Sequence, residues 1–156
     1  NFDIDGFRHD ATKHIPEIFW KTLTQKLKTQ IKNKELFQIG ETYGSSELIG
    51  SYLGTGMLDA QFDFNVYDAS VAAFKGSGNM INLVSILNDS KRNYGANHLM
   101  GNITGNQDRP RFVSLADFSL KEGEKFKQAG WDRNIQLRDS RAVEKLQQLF
   151  AFNIAI

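Results

Sequence analysis

Four side chains in this sequence are spaced to do chemistry together: Arg8 and Asp10 in GFRHDATKHIP, Glu41 in QIGETYG, and Asp108 in GNQDRPRF. Arg8 and Asp10 are two residues apart at the end of an alternating stretch, so an extended strand puts both on one face. A guanidinium beside a carboxylate favours its ionised form, which keeps Asp10 charged at neutral pH as a nucleophile or stabiliser. Glu41 follows Gly40 at the end of the next apolar run. Neighbouring strands lie about 4.8 Å apart, so carboxylates ending adjacent strands approach the ~5–5.5 Å separation that suits double displacement at a sugar carbon. One carboxylate would attack, while the other protonates the leaving group and later activates water. A charged Asp10 raises the proton affinity of Glu41 and suits it to that second role. Asp108 would add a third carboxylate, bonding sugar hydroxyls as positive charge develops on the ring. Singly, each acid is more often a helix cap or a solvated loop residue. The chemistry rests on the three facing one shared hollow.

Strands and helices must carry these groups there. Residues 2–9 alternate with period two, and Pro16 suits the first turn of a helix. Ile15, Phe19, Leu23, Leu27 and Ile31 then recur every four residues as an apolar stripe, with Phe19 and Trp20 expected in the core. ELFQIG, 35–40, reads as a buried strand, and the glycine-dotted loop after it holds a short helix. DAQFDFNVYDA reads as a third strand, NMINLVSILNDSKRNY as a helix, and HLMGNITGNQDRPRF, 98–112, as a fourth strand with a polar loop. Residues 113–137 lack periodicity, and SRAVEKLQQLFAFNIAI closes the chain as a helix with Val143, Leu146, Leu149 and Phe150 on one face. Strand and helix alternate four times without hairpin signals, which argues for an α/β fold with a parallel sheet. Asp10, Glu41 and Asp108 each fall where a strand hands over to its loop, the end at which such sheets place their chemistry.

Composition sets the outer bounds. The 156 residues carry 19 Lys and Arg against 18 Asp and Glu, a net charge of +1, so no global field invites nucleic acid or an anionic membrane. No apolar run approaches the roughly 20 residues of a bilayer span. Cysteine is absent, which removes disulfides and thiolate chemistry and leaves the compartment open. The chain opens without Met and inside a strand, which reads as a piece of something longer.

GFRHDATKH resembles the nucleophile motif of the α-amylase family of glycoside hydrolases, Gly-Phe-Arg-x-Asp-x-x-Lys-His; QIGETYG resembles its general-acid motif and GNQDRPRF its third-carboxylate motif, all in family order. The resemblance implies a partial (β/α)8 barrel, about strands four to seven with their helices, truncated at both ends. It implies Asp10 as nucleophile, Glu41 as acid/base, Asp108 as transition-state stabiliser and Arg8 as the group that holds the nucleophile. Lys13 and His14 fall where the family contacts sugar, and the His14 backbone falls where many members reach calcium; no organic cofactor is implied. His9 fills a variable position, with a packing or tuning role. Asn106 and Gln107 would grip substrate, Gln107 replacing the family's usual His and lacking the charge of an imidazolium. The motif on the preceding strand and the closing eighth strand have no counterpart. The implied partners are an α-glucan such as starch or a maltooligosaccharide and the remainder of the barrel, and the isolated piece is expected to be poorly active. A polysaccharide substrate suggests an extracellular or periplasmic setting.

Other residues carry weaker expectations. Tyr43, Tyr52 and Tyr67 could stack on sugar rings, Tyr43 foremost, against a bland reading as loop packing. Arg109 and Arg111 read as structural ion pairs, and Trp131 as a satellite core residue rather than a cover for the cleft. Retaining hydrolysis leads; a transglycosylase or isomerase of the same chemistry, and a non-catalytic carbohydrate-binding relative, are the alternatives.

Overall fold

The computed structural model describes residues 3–96 and 98–156. The Phe2 end of the first expected strand lies outside them. Two compact units are present, Asn1–Asn65 with Asn88–Gly101, and Val66–Leu87 with Asn102–Ile156.

The first unit is a parallel sheet with helices. Strands β1 (Gly6–His9), β2 (Phe37–Gly40) and β3 (Ala60–Gln61) lie in the order β1-β2-β3. The register pairs Arg8 with Ile39, His9 with Gly40, and Gly40 with Gln61. Gly6 is needed for this approach, because a Cβ there would sit 2.0 Å from the Phe37 carbonyl oxygen. The link from β1 to β2 is a 3-10 turn at Thr12–His14 followed by helix α1, Glu17–Gln30. Pro16 occupies the N-cap of α1, one position before the first helical turn. The short helix expected in the next loop is α2, Ser46–Ser51, capped by the Ser45 hydroxyl accepting from the Leu48 N–H at 3.3 Å.

Three expectations need correction here. The face of α1 that is buried is Trp20 with Thr24, and Phe19, Ile15 and Ile31 are exposed. Residues four apart drift by about 40° per step on a helix of 3.6 residues per turn, so the stripe walks off the buried face at both ends. Trp20 packs with Tyr52, Met57, Leu58 and Leu23 instead. The third strand is only two residues, and Phe64–Lys75 is helix α3. The Phe62/Phe64 alternation mimics a strand, but the residues beyond it, Val66, Tyr67, Ala69, Ser70 and Val71, are nearly all buried at consecutive positions, as a helix packed on several sides allows. The fourth strand is reduced, among the described residues, to one parallel bridge between Phe62 and Gly101.

Helix α4, Met80–Tyr94, forms as its pattern suggests, but within it Ile81 and Val84 are exposed while Leu83 is buried. In the second unit, residues 112–137 are not structureless: they form α5 (Phe112–Ala116) and α6 (Phe126–Asp132). The buried Asp117 carboxylate ties this stretch together by accepting from the Ser119 N–H at 2.9 Å and the Arg138 N–H at 2.7 Å. Helix α7, Arg141–Ala155, packs on α5 through the face that buries Ala142 and Leu149, leaving Val143 and Phe150 exposed. No helix among the described residues is long and apolar enough to cross a membrane.

Candidate active site

Strand alternation delivers Arg8 and Asp10 to one face, as expected. One guanidinium nitrogen of Arg8 lies 2.5 Å from Asp10 Oδ1 and the other 2.6 Å from Glu41 Oε2. Arg8 therefore bridges the two carboxyls that terminate β1 and β2. Asp10 is open to solvent, its side chain 74% exposed, whereas that of Glu41 is 15% exposed.

This asymmetry separates their proton affinities. Asp10 is held below the usual carboxylate range by its hydrogen bond from Arg8, then by one from Glu41 and the Arg8 charge. Glu41 is pushed up, first by burial and then by its hydrogen bond and charge repulsion with Asp10; the Arg8 charge and a bond from the Ala11 N–H oppose this. Of the two, Glu41 therefore binds a proton more tightly than Asp10. A single guanidinium holds both carboxyls, and they lie within hydrogen-bonding reach of each other.

Backbone geometry fixes this arrangement. The Glu41 N–H donates to the His9 carbonyl at 2.9 Å, and the Thr12 N–H donates to the Glu41 carbonyl at 2.8 Å. Thr12 is fully buried; its hydroxyl accepts from the Glu41 N–H at 3.0 Å and donates to the His9 carbonyl at 3.3 Å. Between them Ala11 adopts the left-handed conformation, φ 46° and ψ 46°. Such a residue costs on the order of 1–3 kcal/mol and persists only where its surroundings over-determine it. Sequence reasoning passed over both residues. Thr12 carried a faint signal, a small polar residue directly after a strand, but nothing local marks Ala11 as left-handed.

On the opposite face of the sheet His9 meets the Trp20 ring at 4.8 Å and the Gln38 side-chain oxygen at 3.1 Å. The Gln38 amide donates in turn to the Thr24 hydroxyl at 2.9 Å. His9 is a packing residue, in line with its expected role.

The remaining residues divide. Lys13 donates to the Tyr43 carbonyl at 2.7 Å, and Tyr43 presents a half-exposed ring edge-on to Phe64 at 5.5 Å. His14 is exposed at the end of the 3-10 turn. Tyr52 and Tyr67 are buried, so neither is available for stacking; burial pushes the Tyr67 hydroxyl up to about 12. Asp108 belongs to the second unit, where Oδ1 lies 3.0 Å from Lys127 Nζ, Oδ2 accepts from the Gln107 amide at 3.3 Å, and its N–H donates to Asn106 Oδ1 at 2.9 Å. Arg109 pairs with Asp68 at 3.8 Å and lies over the Tyr67 ring, a structural role as expected.

A calcium ion takes six to eight oxygens, of which the His14 carbonyl would be one. No group of three His, Cys, Asp or Glu among the described residues could hold a metal. A cavity of about 950 Å³ lined by Leu27, Lys28, Ile31, Lys34, Phe37 and Asp59 includes neither Asp10 nor Glu41 in its walls.

Comparison with known proteins gives a consistent picture. No family model matches. Alpha-amylase 2 of Schizosaccharomyces pombe is 32% identical over 112 residues, 70% of this chain and 18% of that protein. Alpha-amylase 1 of Lipomyces kononenkoae is 31% identical over 123 residues, 77% of this chain and 18% of the relative. Among solved structures, an Anoxybacillus alpha-amylase superposes with a TM-score of 0.65 at 28% identity, covering 73% of this chain and 25% of the other. An alpha-amylase from Malbranchea cinnamomea gives 0.63 at 29% identity, covering 76% and 24%. The chain spans less than a fifth of the length of these curated relatives. It belongs, over about 70% of its length, to the α-amylase family, and corresponds to part of that family's (β/α)8 barrel.

Proposed function

We propose that the chain is the portion of a glycoside hydrolase catalytic barrel carrying about strands four to seven, and that it cleaves α-glucosidic bonds of starch-like glucans with retention. The observation that carries this reading is the Arg8-bridged pair, in which an exposed Asp10 of lowered proton affinity lies beside a Glu41 whose proton affinity burial raises. Asp10 attacks the anomeric carbon. Glu41 gives its proton to the departing oxygen, then takes one from the water that releases the sugar. The sugar enters between the two carboxyls, replacing their mutual hydrogen bond. Arg8 keeps Asp10 ionised until it attacks, and stabilises the carboxylate again when water releases the sugar. Asp108 is the third carboxylate, and Lys13, His14, Tyr43, Asn106 and Gln107 contact substrate. The similarity to alpha-amylases supports this choice of substrate class.

Glu41→Gln tests the assignment. Single-turnover hydrolysis of maltoheptaose, with protein in excess, should fall about 10²- to 10⁴-fold, the usual contribution of a positioned acid/base, while sugar binding persists. An aryl α-maltoside, whose leaving group needs no proton, should lose far less in its first step. Unchanged maltoheptaose cleavage in the variant would remove Glu41 from the mechanism. The open side chain of Asp10 also admits a sugar acceptor, and chromatography of the products separates hydrolysis from transglycosylation.

A further inference from the structure

The chain contains two tryptophans with opposite fates. Trp20 is 4% exposed in the core of the first unit, whereas Trp131, on α6 in the second, is 88% exposed. The satellite-core reading of Trp131 is therefore overturned. An indole is among the largest apolar surfaces a protein can bury, and leaving one in water forfeits that burial unless a ligand covers it.

Its neighbours indicate the ligand. Lys127 and Trp131 are four apart within α6, so they share one helix face about 6 Å apart along the axis. The Lys127 ammonium reaches Asp108 at 3.0 Å, and the other Asp108 oxygen accepts from the Gln107 amide at 3.3 Å. The base of the helix is pinned: the Arg133 guanidinium donates to the Glu124 carboxylate at 2.5 and 2.8 Å and to the Ser119 carbonyl at 3.1 Å. An exposed aromatic plane thus stands one turn from a cluster of charged donors and acceptors. A pyranose ring presents the complementary surface, a face of C–H groups with hydroxyls around its rim. An apolar partner protein would instead bury the Lys127–Asp108 pair at a desolvation cost.

We propose that Trp131 is a stacking platform for one pyranose ring of an α-glucan, with the Asp108–Lys127 pair bonding the hydroxyls of that ring or its neighbour. This rests on the glucan substrate proposed above and adds a binding position on α6 to it. The role of Trp131 is to hold the chain of sugars.

Because Trp20 is shielded, acrylamide quenching of tryptophan emission reports mainly Trp131. In the full chain, maltoheptaose should protect that emission saturably. Trp131→Ala should abolish the quenchable component and weaken maltoheptaose binding about tenfold by calorimetry, in keeping with ~1.5 kcal/mol for an aromatic stack. Trp131→Phe should recover most of the affinity, and Ile81→Ala, which removes an exposed apolar side chain from α4, should match the parent. Maltoheptaose binding that is equally tight in Trp131→Ala would overturn this inference and leave the glucan reading standing. Protection that follows protein concentration without sugar would assign the surface to a second copy and likewise overturn it. Absence of maltoheptaose binding by the parent chain would defeat both.

Discussion

Gly40→Ala probes the ground on which the acid/base stands. Gly40 immediately precedes Glu41 and pairs with both His9 and Gln61 in the sheet. A Cβ at this position would lie 2.3 Å from the Gln61 side-chain nitrogen, 2.7 Å from Leu58 Cδ1 and 2.7 Å from the Thr12 hydroxyl. All three neighbours are essentially inaccessible to solvent, so none can swing away freely. Overpacking of this kind costs about 1–3 kcal/mol. Taking about 2 kcal/mol, a chain of this size should lose roughly 4–8 °C in Tm, read by circular dichroism. The shortest of the clashes is with Gln61, so Gln61→Ala should partly rescue Gly40→Ala. The double variant should then be about 1 kcal/mol more stable than the sum of the single effects, well beyond the ~0.3–0.5 kcal/mol scatter of independent sites. A Tm for Gly40→Ala equal to that of the parent, or strict additivity, would show that the packing beneath Glu41 is not as described.

Two further outcomes follow from the charges. Arg8→Met removes the group that holds Asp10 down and that also opposes the rise of Glu41, so both carboxyls should bind protons more tightly. Both limbs of the pH–rate profile for maltoheptaose cleavage should move to higher pH, and an unmoved acid limb would contradict the role given to Arg8. In the second unit, Arg133 holds Glu124 down to about 2. A depressed carboxyl contributes stability that is full above the ordinary Glu value and is lost as pH falls toward about 2. Glu124→Gln should flatten the acid side of the stability curve measured by urea unfolding, and an unchanged pH dependence would refute the pairing.

The parts of this molecule that were legible in its sequence are those governed by short-range periodicity. Alternation around Arg8 and Asp10 put both on one face of β1, and the parallel register then brought Glu41 beside them. The lowered proton affinity of Asp10 followed from the same spacing, whereas the rise at Glu41 owes most to its burial. What was not legible depended on long-range packing. Phe62 and Phe64 alternate as a strand would, yet helix α3 begins at Phe64, because the residues after it find burial on several sides. Tyr52 and Tyr67 sit in polar, glycine-dotted or acidic stretches and are nonetheless buried, while Trp131 is left in solvent. Residue type alone does not decide such cases; the neighbours supplied by distant segments do. The left-handed Ala11 belongs to the same class, since only the bonds made by Thr12 and Glu41 around it account for a conformation that alanine disfavours.

The central claim is that Asp10 and Glu41, bridged by Arg8, have opposite proton affinities, Glu41 holding a proton more tightly than Asp10. Carbon-13 NMR titration of the side-chain carboxyls in the intact chain, assigned with Asp10→Asn and Glu41→Gln, measures this directly. The account predicts two separated steps, the lower dominated by Asp10 and below the usual Asp range, the upper dominated by Glu41 and above the usual Glu range. Coincident titration at ordinary values, or an upper step that belongs to Asp10, would contradict it.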